Sequence, residues 1–166
     1  MMKYSLDNCP VPTEQQPLNE YEELKTSWLF RDSTSSWGNY LTKIFWIWSW
    51  SWLLAGPVAA ASFPPQKQIT QFILCGAGGA SVGVILALVR LYLGWWYVRD
   101  RLHSPTVFYE ESGWYDGQTW TKPQEIMARD RLIVTYDIKP IFQRLQITFA
   151  GLAGMYVLGT IVWKLF

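Results

Sequence analysis

The chain has 166 residues, of which 50% are hydrophobic and 16% charged, with a formal net charge of +1; a soluble domain carries roughly 25% charge. That balance leans toward the membrane, the length suits one domain, and the near-neutral charge excludes bulk attraction to nucleic acid. Cys9 and Cys75 lie far apart, without CxxC spacing, so neither a disulfide nor a redox or metal pair is indicated.

Residues 1–36 are polar and broken by Pro10, Pro12 and Pro17. They lack the apolar core of a secretory signal and the Arg/Ser-rich character of a transit peptide, so the first apolar run is expected to act as the targeting device. The stretch Asn19 to Phe30 predicts a short amphipathic helix with Tyr21, Leu24, Trp28 and Leu29 on one side.

Ile44 to Phe63 holds no charge for twenty residues, the length a helix needs to cross a bilayer core of roughly 30 Å. After the turn signal Pro64-Pro65, Ile69 to Val89 is a second uncharged run, closed by Arg90 and extended at the interface to residue 98. Gly79 and Gly83 form a GxxxG pair in it, and Gly76 and Ala80 repeat the spacing, which lets another helix approach the backbone closely. The third run, 140–166, carries a similar pair in Ala150 and Gly154.

Between the second and third runs, residues 99–139 change character. Thr106 to Tyr109 is β-prone, and Asp116-Gly117 between aromatic and β-branched neighbours signals a hairpin. Thr121 reads as an N-cap, Pro123 as an early helical position and Glu125 as a first-turn acid, so a helix follows. Leu132 to Ile138 fits helix or strand, and Pro140 is expected to break what precedes it and start the third span. The fold class is therefore mainly α and integral membrane: a tail over 1–43, spans at 44–63, 69–98 and 140–166, and a hairpin-plus-helix module over 99–139.

Three spans put the tail and the module on one side with twelve of the fourteen Lys and Arg residues, leaving only Lys67 and Lys164 on the other. The positive-inside rule then places the tail and module in the cytoplasm or stroma and the C-terminus in the lumen. Trp37, Trp46, Trp48, Trp50, Trp52, Trp95 and Trp96 cluster at the same side, as an interfacial belt would. On a helix Trp46 and Trp50 share one face, and Trp48 and Trp52 take roughly the opposite one.

Chemistry is sparsely signalled. His103 is the only histidine and has no nucleophile elbow around it, no metal-ligand spacing occurs, and no span holds a mid-membrane charge. Catalytic and metal-binding residues are therefore none, and no cofactor is predicted, with chlorophyll, carotenoid or lipid contact left open. Arg90 and Arg144, at span ends, are explained by snorkelling to the interface. The candidate partner-binding residues are Tyr109, Glu110, Glu111, Trp114, Tyr115, Asp116 and Trp120, since aromatic rings are favoured interface anchors.

The blocks "NCPVPTEQQPLNEY" (Asn8 to Tyr21), "LYLGWWYVRDRLHSPTVFYEESGWYDGQTWTKP" (Leu91 to Pro123) and "RDRLIVTYDIKPIFQRL" (Arg129 to Leu145) resemble the signature blocks of a cyanobacterial and plastid membrane-protein family of unknown function. That family includes the product of hypothetical chloroplast reading frame thirty-six and nuclear-encoded relatives in the green lineage and diatoms. The resemblance implies a thylakoid or cyanobacterial plasma-membrane location and a role in assembly, maintenance or light acclimation of a photosynthetic complex, with membrane-protein subunits and the bilayer as partners and no catalytic residues to carry over. The absence of a transit-peptide pattern suggests a cyanobacterial or plastid-encoded member. The alternative is a membrane-interface enzyme or redox factor acting on a lipid or pigment through His103, Glu110, Glu111 and Asp116.

Overall fold

The computed structural model describes residues 9–110 and 117–165. In chain order they form a 3-10 turn (Thr13–Gln15), α1 (Pro17–Thr26), α2 (Arg31–Thr34), α3 (Trp37–Ser62), α4 (Ile69–His103), β1 (Thr106–Tyr109), β2 (Gln118–Thr121), α5 (Gln124–Ile133), a π turn (Val134–Ile138) and α6 (Lys139–Leu165). Three helices are long and apolar enough to cross a membrane: α3, α4, and the continuous run from α5 through α6. The chain divides into two compact units, one of Met1–Ser27 with Gly94–Lys139 and one of Trp28–Leu93 with Pro140–Phe166.

The amphipathic helix of the tail starts earlier and ends sooner than its pattern suggests. Pro17 opens α1, where a missing N–H costs nothing, and Ser27 caps it in an extended conformation. Tyr21 is buried on it, but Trp28 falls beyond the cap and lies exposed beneath the Lys43 ammonium, 3.8 Å from the ring centroid.

The helix α4 is the longest departure from the expected spans: 35 residues, or about 52 Å at 1.5 Å per residue. Its buried residues Ala80, Val84, Leu88, Leu91, Trp95, Val98 and Leu102 recur every three or four positions, in one stripe that runs past Arg90 without interruption. The helix therefore continues as long as it has a core-facing stripe, well beyond its uncharged section.

Leu132 to Ile138 proves to be helical, and Pro140 does not break the chain's path. Proline has no N–H for the carbonyl four residues back, and its ring presses on that carbonyl in a regular α-turn. Here the backbone widens into a π turn, with the Lys139 N–H reaching the Val134 carbonyl, and α6 continues directly. Pro123, for its part, is the N-cap of α5 rather than an early helical residue, and Thr121 closes β2 instead of capping.

In the second unit, α3 packs on α4 at the glycines. A Cβ added at Gly76 would sit 2.6 Å from the Trp52 ring, and one at Gly79 would sit 3.1 Å from the Ala55 Cβ. At Gly83 a Cβ would overlap the Ser51 hydroxyl, and Ala80 is fully buried. Nothing lies within 4 Å of a Cβ added at Gly154, and Ala150 is exposed. Trp46 and Trp50 face outward, while Trp48 and Trp52 turn inward and meet edge to face at 5.7 Å, as the helical period requires.

Arg144 does more than snorkel. Its guanidinium donates to the carbonyls of Ser33 (3.2 Å) and Ser35 and lies 5.3 Å from the Trp37 ring centroid, so α6 holds the corner between α2 and α3. The Tyr40 and Thr148 hydroxyls, 3.0 Å apart, link α3 to α6 next to it.

Candidate functional site

The first unit gathers the N-terminal segment, the end of α4, the hairpin, α5 and the π turn. Strands β1 and β2 pair antiparallel with Val107 opposite Trp120 and Tyr109 opposite Gln118. That register leaves eight residues between the strands, and of the residues singled out there Glu111, Trp114, Tyr115 and Asp116 lie outside the described residues. Strand alternation sends Val107 and Tyr109 to one face, where they form a small core with Val11, and Cys9 and Trp120 pack against it.

Two of the candidate partner-binding rings are thereby placed inside the unit. Tyr109 is only 5% exposed, and its hydroxyl donates to Gln118 Oε1 at 2.9 Å. Trp120 covers the same core. Glu110 is exposed, and its backbone is gripped from both sides: the Gln15 amide donates to its carbonyl and accepts from its N–H, each at 3.0 Å. His103 is exposed at the end of α4, and among the described residues no hydrogen bond or ion pair joins it to Glu110.

A buried ion pair, which residue patterning did not single out, braces this unit. Lys122 and Asp130 side chains are 1% and 2% exposed, with Nζ 2.9 Å from Oδ2. The same ammonium donates to the carbonyls of Arg101 (2.9 Å) and Leu102 (3.0 Å) in the last turn of α4, where helix carbonyls lack intrahelical donors. All three N–H bonds of Lys122 are thus used, and Arg129 supports the other carboxylate oxygen at 3.2 Å. A crevice of about 50 Å³ beside the pair, lined by Cys9, Gln16, Asn19 and Trp120 among others, admits little beyond water.

The N-terminal segment is strapped on by two further side chains, Arg101 and Tyr21. Arg101 donates to Glu20 Oε1 at 2.6 Å and to the Gln15 carbonyl at 2.9 Å. Tyr21 lies 6.1 Å from Trp95, ring to ring, and donates its hydroxyl to Asp137 at 2.8 Å. Burial pushes the Glu20 carboxyl above its ordinary value, Arg101 opposing this and Glu23 adding to it, and Glu20 Oε2 has no partner among the described residues.

Burial, followed by the bond to Asp137, raises the Tyr21 phenol well above the ordinary tyrosine value near 10. A folded-state pKa above the unfolded one contributes stability that is present below pH 10 and lost as pH rises toward the folded value. Tyr21→Phe should cost about 1.5–3 kcal/mol, the range for a hydrogen bond to a charged group, at pH 8. The gap to wild type should narrow above about pH 10, where unfolded tyrosine ionises. Thermal melts in detergent from pH 8 to 11.5 check this, and a gap that stays constant to the top of the range contradicts it.

In the second unit, α4 and α6 enclose an open groove of about 310 Å³ lined by Leu74, Cys75, Gly78, Leu152, Tyr156 and others. Its hydroxyls turn back on helix backbone: Ser81 to Ala77, Thr160 to Val157, and Tyr156 to Gly78. Among the described residues no group of three or more His, Cys, Asp or Glu side chains is placed to hold a metal ion.

The three sequence blocks singled out above supply the partners of one another here: Glu20 with Arg101, Tyr21 with Asp137, and Lys122 with Asp130. Residues 9–151 match the family described as CGLD27-like, "Conserved in the green lineage and diatoms 27". A chloroplastic protein of that name from Arabidopsis thaliana is 43% identical over 153 residues, covering 89% of this chain but only 45% of the relative, so the chain spans under half of that protein. An uncharacterized protein ycf36 from Porphyra purpurea is 43% identical, covering 96% of this chain and 97% of its own, and one from Pyropia yezoensis is 45% identical over 89% of each. No solved structure gives a significant match. With family blocks that interlock in one unit and relatives this similar across most of its length, the chain belongs to the CGLD27-like family.

Proposed function

We propose that the protein is a membrane-anchored interaction protein, non-enzymatic, that supports the assembly, maintenance or light acclimation of a photosynthetic complex in a thylakoid or cyanobacterial plasma membrane. The three long apolar helices are its anchor, and the side carrying twelve of fourteen basic residues is cytoplasmic or stromal. The chloroplastic relative supports the setting. Chlorophyll, carotenoid or lipid contact fits the groove between α4 and α6, whose hydroxyls are already bonded and whose remaining walls are apolar.

The observation that carries the docking role is Phe108. It stands 71% exposed on the outer face of the hairpin, opposite Thr119, while its neighbours Val107 and Tyr109 are buried. We read this bare ring, on a small unit otherwise braced from within, as the interface anchor. Phe108→Ala should leave the fold of the first unit intact, because the side chain touches none of its core, and should remove the membrane-protein subunits that co-purify from native membranes. An unchanged set of co-purifying subunits counts against this face.

A further inference from the structure

We infer that the open edge of β2 receives an extended segment of a partner polypeptide, which adds to the hairpin as a third strand. This rests on the docking reading above and specifies how the partner is held. The phase of the ladder is set by the Lys122 N–H, which donates to the Pro105 carbonyl at 2.9 Å. In an antiparallel pair hydrogen-bonded and non-bonded positions alternate, so Val107–Trp120 and Tyr109–Gln118 turn their backbone groups toward each other. Thr106, Phe108 and Glu110 then turn theirs away from β2, and Thr119 and Thr121 turn theirs away from β1.

The two outer edges are treated differently. That of β1 is occupied at its C-terminal end: Gln15 takes both the N–H and the carbonyl of Glu110, and Arg101 donates to the Phe108 carbonyl at 3.4 Å. That of β2 is bare. Among the described residues the outward N–H and carbonyl groups of Thr119 and Thr121 have no hydrogen-bond partner. Within the strand, Gln118-Thr119-Trp120-Thr121 contains neither charge nor proline, two of the devices that blunt an exposed edge.

An incoming strand would meet donors and acceptors at Thr119 and Thr121, with Phe108 beside Thr119 on the same sheet face to receive alternate side chains. The occupant is a segment with basic flanks. The first unit holds twelve acidic residues against eight basic ones, and Glu110 and Glu125, exposed shortly after β1 and β2, place negative charge near the hairpin.

The test is residue-resolved amide exchange on the full chain purified from native membranes, once with its co-purifying polypeptides and once after they are stripped by salt. The Thr119 and Thr121 amides should slow at least tenfold in the complex, and Thr119→Pro, which removes only an outward N–H, should lose the co-purifying polypeptides while Trp120 stays protected. Should that proline open the hairpin, protection in the wild-type complex decides alone. Equal exchange of both amides in the two preparations overturns strand addition; the docking reading then still stands if Phe108→Ala loses the partner and falls if it does not. Protection that appears in the stripped protein as its concentration is raised assigns the edge to a second copy of this chain and overturns the heterologous partner.

Discussion

Lys122→Met should destabilise the first unit by about 3–5 kcal/mol, the range for breaking a buried pair by removing one partner. The ammonium is the common bond partner of a carboxylate and two helix-end carbonyls, all within 3.0 Å. Methionine fills much the same volume, so the loss is electrostatic and not a cavity. Among the described residues Asp130 would keep only Arg129, and the last turn of α4 would lose the donor that joins it to β2 and α5. The measurement is amide exchange of α5 and the end of α4 in detergent, with thermal melting alongside. Pairing Lys122→Met with Asp130→Leu provides the control: removing both charges should recover much of the loss, because apolar replacement of a whole buried pair is close to neutral. A single-variant effect under about 1 kcal/mol, the size of a surface ion pair, would show that water reaches the pair and that it is not the brace described here.

The second large effect lies at the α3–α4 contact. Gly76→Val must displace the Trp52 ring, which is itself held edge to face by Trp48 and lies 6.3 Å from Phe72. Gly83→Val meets the Ser51 hydroxyl, which is bonded to the Ile47 carbonyl at 2.8 Å and is not free to swing away without losing that bond. Each substitution should cost at least about 1–3 kcal/mol, the range for overpacking a filled interior. Gly151→Val and Gly154→Val, where an added Cβ meets nothing within 4 Å, should leave the packing of the helices unchanged. Thermal unfolding in detergent micelles distinguishes the two pairs, and equal behaviour of Gly76→Val and Gly154→Val would contradict the packing. The contrast also separates two small-residue motifs that read alike in sequence. The one in α4 seats α3 against it, while the one in α6 meets no helix among the described residues.

Much of this architecture is legible in one dimension because its causes are local. An uncharged run of twenty residues, a β-prone tetrapeptide and a proline followed by an acid each act through neighbouring residues, and the long helices, the hairpin and α5 all appear where those signals lie. Even the extension of α4 had a local sign, the three-and-four spacing of Leu91, Trp95, Val98 and Leu102, which the break at Arg90 obscures. The π turn was not legible, since an alternating pattern and a proline are satisfied equally by a strand end and by a widened helix; Ile138, Ile141 and Leu145, buried at three-and-four spacing across the proline, fit the widened helix.

The direction in which each ring and charge points was decided by tertiary structure alone. Tyr109 and Trp120 stand among the candidate anchors read from the sequence and Phe108 does not, yet the register with β2 sets the first two against the unit's own core and turns the third outward. Tyr21 finds Asp137 across 116 residues and Glu20 finds Arg101 across 81, and no spacing rule reaches so far. The sequence by itself determined where the chain is apolar, where it turns and which end is basic, since those properties depend on residue type and near neighbours. Whether an aromatic ring covers its own unit or awaits another, and whether a lysine is solvated or closes a helix end, depended on which distant segments share a core, because burial is a property of the assembled packing.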